Sequence, residues 1–103
     1  RSDISYWKKG CIGDCYVAEP MISGHEASGV VIAVGQNVTH LKVGDRVAVE
    51  PGISCMKCKE CFHGQYNLCP KVTYHASPSP FDGTAIHGSL RRCFNHAAAY
   101  CHK

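Results

Sequence analysis

Residues 55–70, CMKCKECFHGQYNLCP, give the sequence its most specific fold signal. The cysteines follow the pattern C-x2-C-x2-C-x7-C and are Cys55, Cys58, Cys61 and Cys69. Thiolates separated by two residues can face one ion across a tight turn, and a later thiolate can complete a tetrahedron around it. The lobe around them, about residues 53–71, has few large apolar side chains and cannot form a core of its own. The spacing therefore predicts a structural zinc site made by four thiolates.

Two other interpretations of this lobe stay open. A pair of disulfides would explain the same cysteines, although bridging cysteines this close together strains the chain outside redox motifs. An iron–sulfur cluster is the sharper rival, because ferredoxin-type runs end in C-x3-C-P and Pro70 follows Cys69 here. The last gap is seven residues rather than three, and no second run exists. Three lysines lie nearby and would offset the net negative charge of a four-thiolate zinc centre: Lys57, Lys59 and Lys71.

Composition limits the class of protein. The chain has 103 residues, a net charge of +3, 45% hydrophobic residues and 18% charged ones, which is enough apolar content for one folded domain or part of one. The small and scattered positive charge predicts no nucleic-acid partner. No apolar run approaches the length of about 18 residues that a membrane span needs, and no secretory signal is visible. We therefore expect a cytoplasmic protein with no membrane partner, in which clustered cysteines bind metal.

The pattern of apolar residues predicts a mainly β fold, with irregular loops and a small barrel. Residues 1–26 show no helical period and are predicted to be loop and short extended segments. The run 27–34 is β-branched and apolar and predicts a strand buried on both faces. No helix longer than two turns is expected. The other predicted strands are 38–43, 46–50, 72–76, 90–94 and 97–101.

The segment Gly24-His25-Glu26 lies just before the first predicted strand. A histidine beside a glutamate at a strand entrance can place two metal-binding groups on one exposed turn. The simpler interpretation is a surface histidine next to a solvated carboxylate, and these residues alone favour it. The zinc-protease helix H-E-x-x-H is excluded, because Gly29 stands four residues after His25.

Several segments together resemble one enzyme family. Residues 24–29, GHEASG, followed by Gly35 and Val38, resemble the signature of zinc-containing alcohol dehydrogenases, which are medium-chain dehydrogenase/reductases. The four-cysteine lobe has that family's structural-zinc spacing, and Gly-Asp-Arg-Val at 44–47 resembles a family turn. Other segments are similar to the polyol dehydrogenase branch, which includes sorbitol, xylitol and L-arabinitol dehydrogenases: Tyr6-Trp7, Glu50-Pro51-Gly52, residues 66–70 and residues 97–103. The resemblance covers essentially the whole chain.

The resemblance implies a GroES-like, partly open β-barrel with a Cys-rich zinc lobe and few short helices. Residues 1–103 would be part of the catalytic domain. They contain no G-x-G-x-x-G motif and no βαβ alternation, so NAD or NADP would be held by a Rossmann domain outside them. The implied reaction is NAD(P)-linked oxidation of a polyol secondary alcohol to a ketose. The parent enzyme is expected to be a homo-oligomer, and the 103 residues alone are expected to be inactive.

The resemblance also assigns roles to individual residues. His25 and Glu26 match two ligands of a catalytic zinc, and the third ligand, a cysteine, is expected just before Arg1. Ser2 matches the hydroxyl that relays the substrate proton, and Tyr6 matches a residue lining the substrate pocket. The outer part of that proton relay differs from the family, since Ser5 stands where many members have histidine.

Two features fall outside the family pattern. The stretch 81–89 is longer than usual by several residues, so the substrate-side loop transfers least well. Four further cysteines match no ligand position and are expected to be buried free thiols: Cys11, Cys15, Cys93 and Cys101.

Two other functions compete with a polyol dehydrogenase as interpretations of the sequence. A non-enzymatic zinc-binding module with a single four-Cys site would bind one zinc and leave His25 without a role. A quinone-reductase-like protein without catalytic zinc would typically lack the combination of Gly-His-Glu and four cysteines.

Overall fold

The computed structural model describes residues 1–103 and consists mainly of short antiparallel strand pairs joined by loops and turns. The strands are β1 (Cys11–Ile12), β2 (Cys15–Tyr16), β3 (Ala27–Val30), β4 (Arg46–Val49), β5 (Gly52–Ile53), β6 (Thr73–Tyr74), β7 (Ser77–Pro78), β8 (Ala85–Ile86) and β9 (Cys101–His102). The helices are α1 (Ser2–Lys9) and α2 (Lys59–Phe62), with 3-10 turns at Tyr66–Leu68 and Ala98–Tyr100. This arrangement confirms the expectation of a mainly β fold with few short helices.

The central sheet has the order β3-β4-β9 and is antiparallel throughout. Residues 46–49 alternate as predicted, with Val47 buried against the core and Arg46 exposed. The buried core is small and is shared by apolar and polar side chains: Leu41, Val47, Cys69, Ala76 and Tyr100 with Asp45, Ser54 and His75.

The remaining strands form three separate two-stranded pairs, β1-β2, β5-β6 and β7-β8. The pair β5-β6 brackets the cysteine lobe, because Ile53 lies opposite Thr73 and the intervening chain loops out between them. The lobe is therefore held at its base by a sheet ladder rather than by a core of its own.

Helix α1 corrects the expectation that residues 1–26 contain only loop and extended segments. Asp3 in its first turn and Lys8 and Lys9 in its last turn complement the helix dipole. Gly10 ends the helix in the left-handed conformation, and its N–H donates to the Tyr6 carbonyl at 2.9 Å. No residue of α1 is buried, so the helix does not depend on packing an apolar face against the core.

Strand β3 is shorter and more exposed than the predicted strand 27–34. Only Ala27–Val30 pairs with β4, and the apolar side chains that follow point largely to solvent, with Ile32 70% exposed. The prediction of burial on both faces was wrong because nothing within these 103 residues packs over the run. The chain nevertheless contacts β4 a little further, where Val31 N–H donates to the Asp45 carbonyl at 2.8 Å.

Other predicted strands are also corrected. No strand forms at 38–43, where Leu41 is buried and Lys42 N–H donates to the Asp45 carboxylate at 2.9 Å to form a turn. No strand forms at 90–94. Strand 72–76 shrinks to Thr73–Tyr74, and residues 97–101 begin as a 3-10 turn before β9. Local side-chain and turn hydrogen bonds compete with ladder pairing in these short segments.

The cysteines outside the lobe are free, as expected, but not all are buried. Cys93 is exposed, whereas Cys11, Cys15 and Cys101 are half-buried. No helix of the structure combines the length and apolar character that crossing a bilayer requires.

Candidate functional site

The four cysteines of the lobe converge on one point. Their Sγ atoms all lie within 4.8 Å of one another. Cys55 and Cys58 come from the loop after β5, Cys61 lies in α2, and Cys69 follows the 3-10 turn Tyr66–Leu68. Short local elements therefore return the chain to the same centre three times, as the spacing predicts.

Backbone N–H groups surround the sulfur atoms. Lys57 N–H donates to Cys55 Sγ at 3.5 Å, and the N–H groups of Cys55 and Lys71 both donate to Cys69 Sγ at 3.4 Å. Hydrogen bonds of this kind favour the thiolate over the thiol. The lobe is thus prepared to hold negative charge on sulfur.

The pKa values of three thiols of the lobe shift in different directions. The hydroxyl of Ser54 is the main cause that lowers the pKa of Cys61 to about 6, and the Lys57 N–H lowers the pKa of Cys55. The Cys61 N–H acts to lower the pKa of Cys58, but burial and the neighbouring side chains outweigh it and raise that pKa to about 12. Four thiols this close cannot all ionise unless a cation offsets the repulsion between the resulting thiolates.

The donor set fits a single zinc ion. Four thiolates at about 2.3 Å from zinc in a tetrahedron lie about 3.8 Å from each other, and the observed sulfur atoms are within 4.8 Å of one another. A multi-iron cluster would stand between its thiolates and separate them further. The four cysteines are free, so the geometry does not support the pair of disulfides.

A second group of residues fixes the backbone just before His25. Gly24 is buried with a φ of +91°, a conformation that side-chain-bearing residues rarely adopt. Its N–H donates to the Asp3 carboxylate at 3.0 Å, which connects α1 to this turn. Its carbonyl accepts from the backbone N–H of Ser89 at 2.8 Å and from the Ser89 hydroxyl at 3.0 Å. The peptide groups of Gly24 are therefore held from two sides.

The stretch 81–89, which the family resemblance predicts to be longer than usual, supplies part of this support. Gly88 N–H donates to the Ile22 carbonyl at 2.6 Å, and Leu90 N–H donates to the Ser23 carbonyl at 3.1 Å. Residues 87–90 thus run alongside residues 22–24, immediately before His25. The sequence carried no signal that this stretch would pair with residues 22–24.

His25 and Glu26 follow directly from this fixed backbone. His25 is half-buried and Glu26 is exposed. Neither side chain makes a hydrogen bond or an ion pair within the chain, which leaves the imidazole and the carboxylate free for an outside partner. His25 lines neither the cleft of about 250 Å³ beside the lobe nor the larger one along β3.

Ser2 and Tyr6 lie on α1. The Ser2 side chain makes no hydrogen bond within the chain and is half-buried. The Tyr6 hydroxyl lies 3.0 Å from the Ser77 hydroxyl at the start of β7. Helix α1 therefore presents both predicted side chains on an element that Asp3 and Tyr6 attach to the rest of the domain.

Two interactions of the core were missed by sequence reasoning. Tyr100 and Ser54 are 46 positions apart and share hydrogen bonds next to Cys61. His96 Nε2 donates to the Glu50 carbonyl at 2.8 Å, and its Nδ1 lies 2.9 Å from His75 Nε2. No local motif could indicate either pair, because each forms only when distant segments meet.

The hydrogen bonds of the pair His75 and His96 determine which ring nitrogen of each histidine carries the proton. A carbonyl only accepts, so His96 must carry its proton on Nε2, and His75 must then donate from Nε2 to His96 Nδ1. His75 Nδ1 is left as a buried atom without a partner. Burial is the main cause that lowers the pKa of both histidines, and the neutral pair is favoured.

Comparison with known proteins places this geometry in context. The family model described as the alcohol dehydrogenase GroES-like domain matches residues 1–103. The chain is 57% identical over 83 residues to a probable D-xylulose reductase A of Aspergillus clavatus, covering 81% of the chain and 23% of that protein. It is 52% identical over 102 residues to L-arabinitol 4-dehydrogenase of Aspergillus oryzae, covering 99% of the chain and 25% of that protein.

Among solved structures, the fold is similar to that of L-idonate 5-dehydrogenase from Escherichia coli. The TM-score is 0.83 at 28% identity, over 97% of this chain and 28% of that one. The chain therefore spans about a quarter of the length of the relatives it matches.

Proposed function

This chain belongs to the alcohol dehydrogenase GroES-like domain family, and from that premise we propose that it is part of the catalytic domain of a zinc-dependent polyol dehydrogenase. One observation carries the proposal: the chain combines a four-sulfur cluster with a Gly24-His25-Glu26 segment whose first residue is hydrogen-bonded to Asp3 and Ser89. A zinc-binding module without catalysis would need only the first of these.

The lobe would hold the structural zinc through its four thiolates. This site is closed, because four protein ligands complete the tetrahedron and leave no position for a substrate. Its role is to fix the chain between β5 and β6. Lys57, Lys59 and Lys71 are exposed around the lobe and would offset part of the negative charge of the loaded centre.

His25 and Glu26 would hold the catalytic zinc. An imidazole and a carboxylate are both zinc ligands, and both side chains are free of partners within the chain. The third ligand is the cysteine that the family resemblance expects immediately before Arg1. When bound, zinc supplies Lewis-acid polarisation of the substrate hydroxyl. Asp3 and Ser89 would not contact the zinc but would orient His25 through their hydrogen bonds to the backbone of Gly24.

Ser2 would accept the proton of the substrate hydroxyl and pass it outward, because its own hydroxyl is not engaged elsewhere. Tyr6 would line the substrate pocket, with its hydroxyl oriented by Ser77. The similarity to D-xylulose reductase A and L-arabinitol 4-dehydrogenase supports a polyol of the L-arabinitol, xylitol or sorbitol type as the substrate class we propose.

The hydride acceptor would be NAD or NADP, held by a Rossmann domain outside residues 1–103. We further propose that the enzyme is a cytoplasmic homo-oligomer. On its own, the 103-residue chain should not oxidise sorbitol, xylitol or L-arabinitol with NAD, because one zinc ligand and the nucleotide site lie elsewhere. Turnover by the isolated chain would contradict this division of roles.

The experiment uses the full-length protein that contains this chain. Oxidation of L-arabinitol, xylitol and sorbitol is followed by formation of reduced nicotinamide, and metal content is measured by elemental analysis. His25→Ala should lower kcat/KM by about a thousand-fold or more, since Lewis-acid stabilisation contributes several kcal/mol and each 1.36 kcal/mol is tenfold. It should also remove one of two zinc ions.

His40→Ala is the matched control, because His40 is exposed and bonds only to the Ala98 carbonyl. It should retain both activity and metal. Full activity in His25→Ala would contradict the proposed ligand. A wild-type protein with a single zinc and no polyol oxidation would instead support the non-enzymatic zinc module.

A further inference from the structure

We propose that Ser54 and Tyr100 form a hydroxyl relay that positions Cys61 as a metal ligand and connects the lobe to the central sheet. This inference rests on the proposed zinc binding at the lobe and concerns residues that no family motif assigns. It predicts that the hydroxyl of Tyr100, far from the lobe in sequence, controls how tightly the metal is held.

The relay is short and buried. The Ser54 hydroxyl lies 2.7 Å from the Tyr100 hydroxyl, and Ser54 N–H donates to the same phenolic oxygen at 3.1 Å. The Ser54 hydroxyl also lies 3.5 Å from Cys61 Sγ. Ser54 is 8% exposed and Tyr100 is 6% exposed, so water does not compete freely for these atoms. Buried hydroxyls are expected to have partners, and here each finds one in the other.

The direction of the relay follows from the protons. A metal-bound cysteine is a thiolate and can only accept, so the Ser54 O–H must donate to Cys61 Sγ. The Ser54 oxygen then accepts from the Tyr100 O–H, and the Tyr100 oxygen accepts from Ser54 N–H. Every hydrogen-bond donor in this relay therefore has an acceptor. In this arrangement Ser54 stabilises the negative charge on Cys61, and the Tyr100 O–H has the Ser54 carbonyl at 3.5 Å as a second acceptor.

Tyr100 joins this circuit to the rest of the domain. It ends the 3-10 turn that precedes β9, and its carbonyl accepts from Glu50 N–H at 2.8 Å beside β4. Strand β9 pairs with β4 directly after it. The phenol is thus fixed by backbone pairing in the central sheet. Metal bound in the lobe would hold this terminal segment in place through Ser54.

Metal affinity of the 103-residue chain is the direct test. Zinc and cobalt(II) affinities are measured by competition with a chelator for wild type, Ser54→Ala and Tyr100→Phe. Both substitutions should weaken binding by about 10- to 100-fold, as is typical for loss of a group that orients a metal ligand. The double variant should be no weaker than the weaker single variant, because both changes break one circuit.

Tyr66→Phe is the matched control. The ring of Tyr66 packs edge-on against the ring of Tyr100, with 6.4 Å between the ring centres, and it lines the cleft beside the lobe together with Ser54 and Tyr100. Its hydroxyl is outside the relay. This variant should bind metal as wild type does. Ser54→Thr keeps the hydroxyl and should recover most of the affinity that Ser54→Ala loses.

The sulfur-to-cobalt charge-transfer band separates the relay from a packing effect. A hydrogen bond to a thiolate lowers the energy of the sulfur electrons, so its loss in Ser54→Ala should move the band of the bound cobalt to longer wavelength. The band reports only chains whose lobe has bound metal, which keeps the test valid for a destabilised variant.

Unchanged affinity and an unchanged band in Ser54→Ala and Tyr100→Phe, with metal bound by wild type, would overturn the relay and leave the zinc lobe intact. A wild-type chain that fails to give a tetrahedral four-sulfur cobalt spectrum would overturn the lobe itself. The two failures are therefore distinguishable.

Discussion

Replacing Gly24 with alanine should disturb the backbone that precedes His25 more than a change of conformation alone would. Gly24 has a φ of +91°, and a Cβ built there would lie 2.7 Å from Leu90 Cγ, 3.0 Å from Ser89 Oγ and 3.1 Å from Leu90 N. Gly44 has nearly the same conformation, with a φ of +93°, yet a Cβ there meets no atom within 4 Å. Gly44→Ala is therefore a control for conformation without crowding.

The expected losses of stability follow from two contributions, the backbone conformation and the crowding around the added methyl group. An alanine in the left-handed region costs about 1–2 kcal/mol, and this term applies to both variants. Gly24→Ala must also displace Leu90 and Ser89, and overpacking of this kind costs about 1–3 kcal/mol. The side chain of Leu90 can move, but its backbone nitrogen is held by the Ser23 carbonyl. We expect the free energy of unfolding to fall by about 2–5 kcal/mol in Gly24→Ala and by about 1–2 kcal/mol in Gly44→Ala.

Urea unfolding of the zinc-loaded chain measures both variants under one condition. The midpoint should fall further for Gly24→Ala, with an unchanged slope if the unfolded state is unaffected. Hydrogen exchange at the amides of Gly24 and Ser89 should rise in Gly24→Ala and stay at the wild-type rate in Gly44→Ala, because the two amides take part in the contact that the methyl group breaks. Equal losses in the two variants would refute the claim that residues 87–90 close tightly over this turn.

Three further changes test other contacts. Tyr6→Phe removes the hydrogen bond to Ser77 and should destabilise the chain by about 1 kcal/mol, measured by thermal unfolding, with no change in zinc content; a loss of zinc would show that the two regions are coupled. Burial lowers the pKa of His75 and His96 below 6.5 in the folded state, so the unfolded chain binds more protons and stability should fall as pH drops below about 6.5 and level off below the folded pKa values. His75→Phe should reduce that fall, and an identical pH profile would contradict the role of the pair. Cys61→Ser should release zinc and raise hydrogen exchange across residues 53–71; unchanged zinc by elemental analysis would remove Cys61 from the ligand set.

The features that sequence predicted correctly depend on local spacing. The four cysteines meet because their spacing returns the chain to one centre over a few residues, and the four-residue alternation at Arg46–Val49 matches a half-buried strand. The family resemblance also implied a turn at Gly44-Asp45, where Asp45 N–H donates to the Lys42 carbonyl at 3.1 Å. Such features need no information about distant parts of the chain.

The features that sequence missed depend on distant contacts or on their lack. Ile32 was predicted to be buried because apolar runs usually are, yet these 103 residues contain no layer that covers it. Helix α1 is only eight residues long and buries no side chain, so a short periodic pattern was too little to indicate it. The contact of Ser89 with Gly24 joins segments 65 positions apart, and no local pattern encodes such a pairing.

Zinc K-edge X-ray absorption on the metal-loaded 103-residue chain tests the central claim most directly. The account predicts one zinc per chain, surrounded by four sulfur atoms at about 2.3 Å with no nitrogen or oxygen neighbour. A first shell containing nitrogen or oxygen, or a chain that takes up iron and inorganic sulfide in place of zinc, would contradict it.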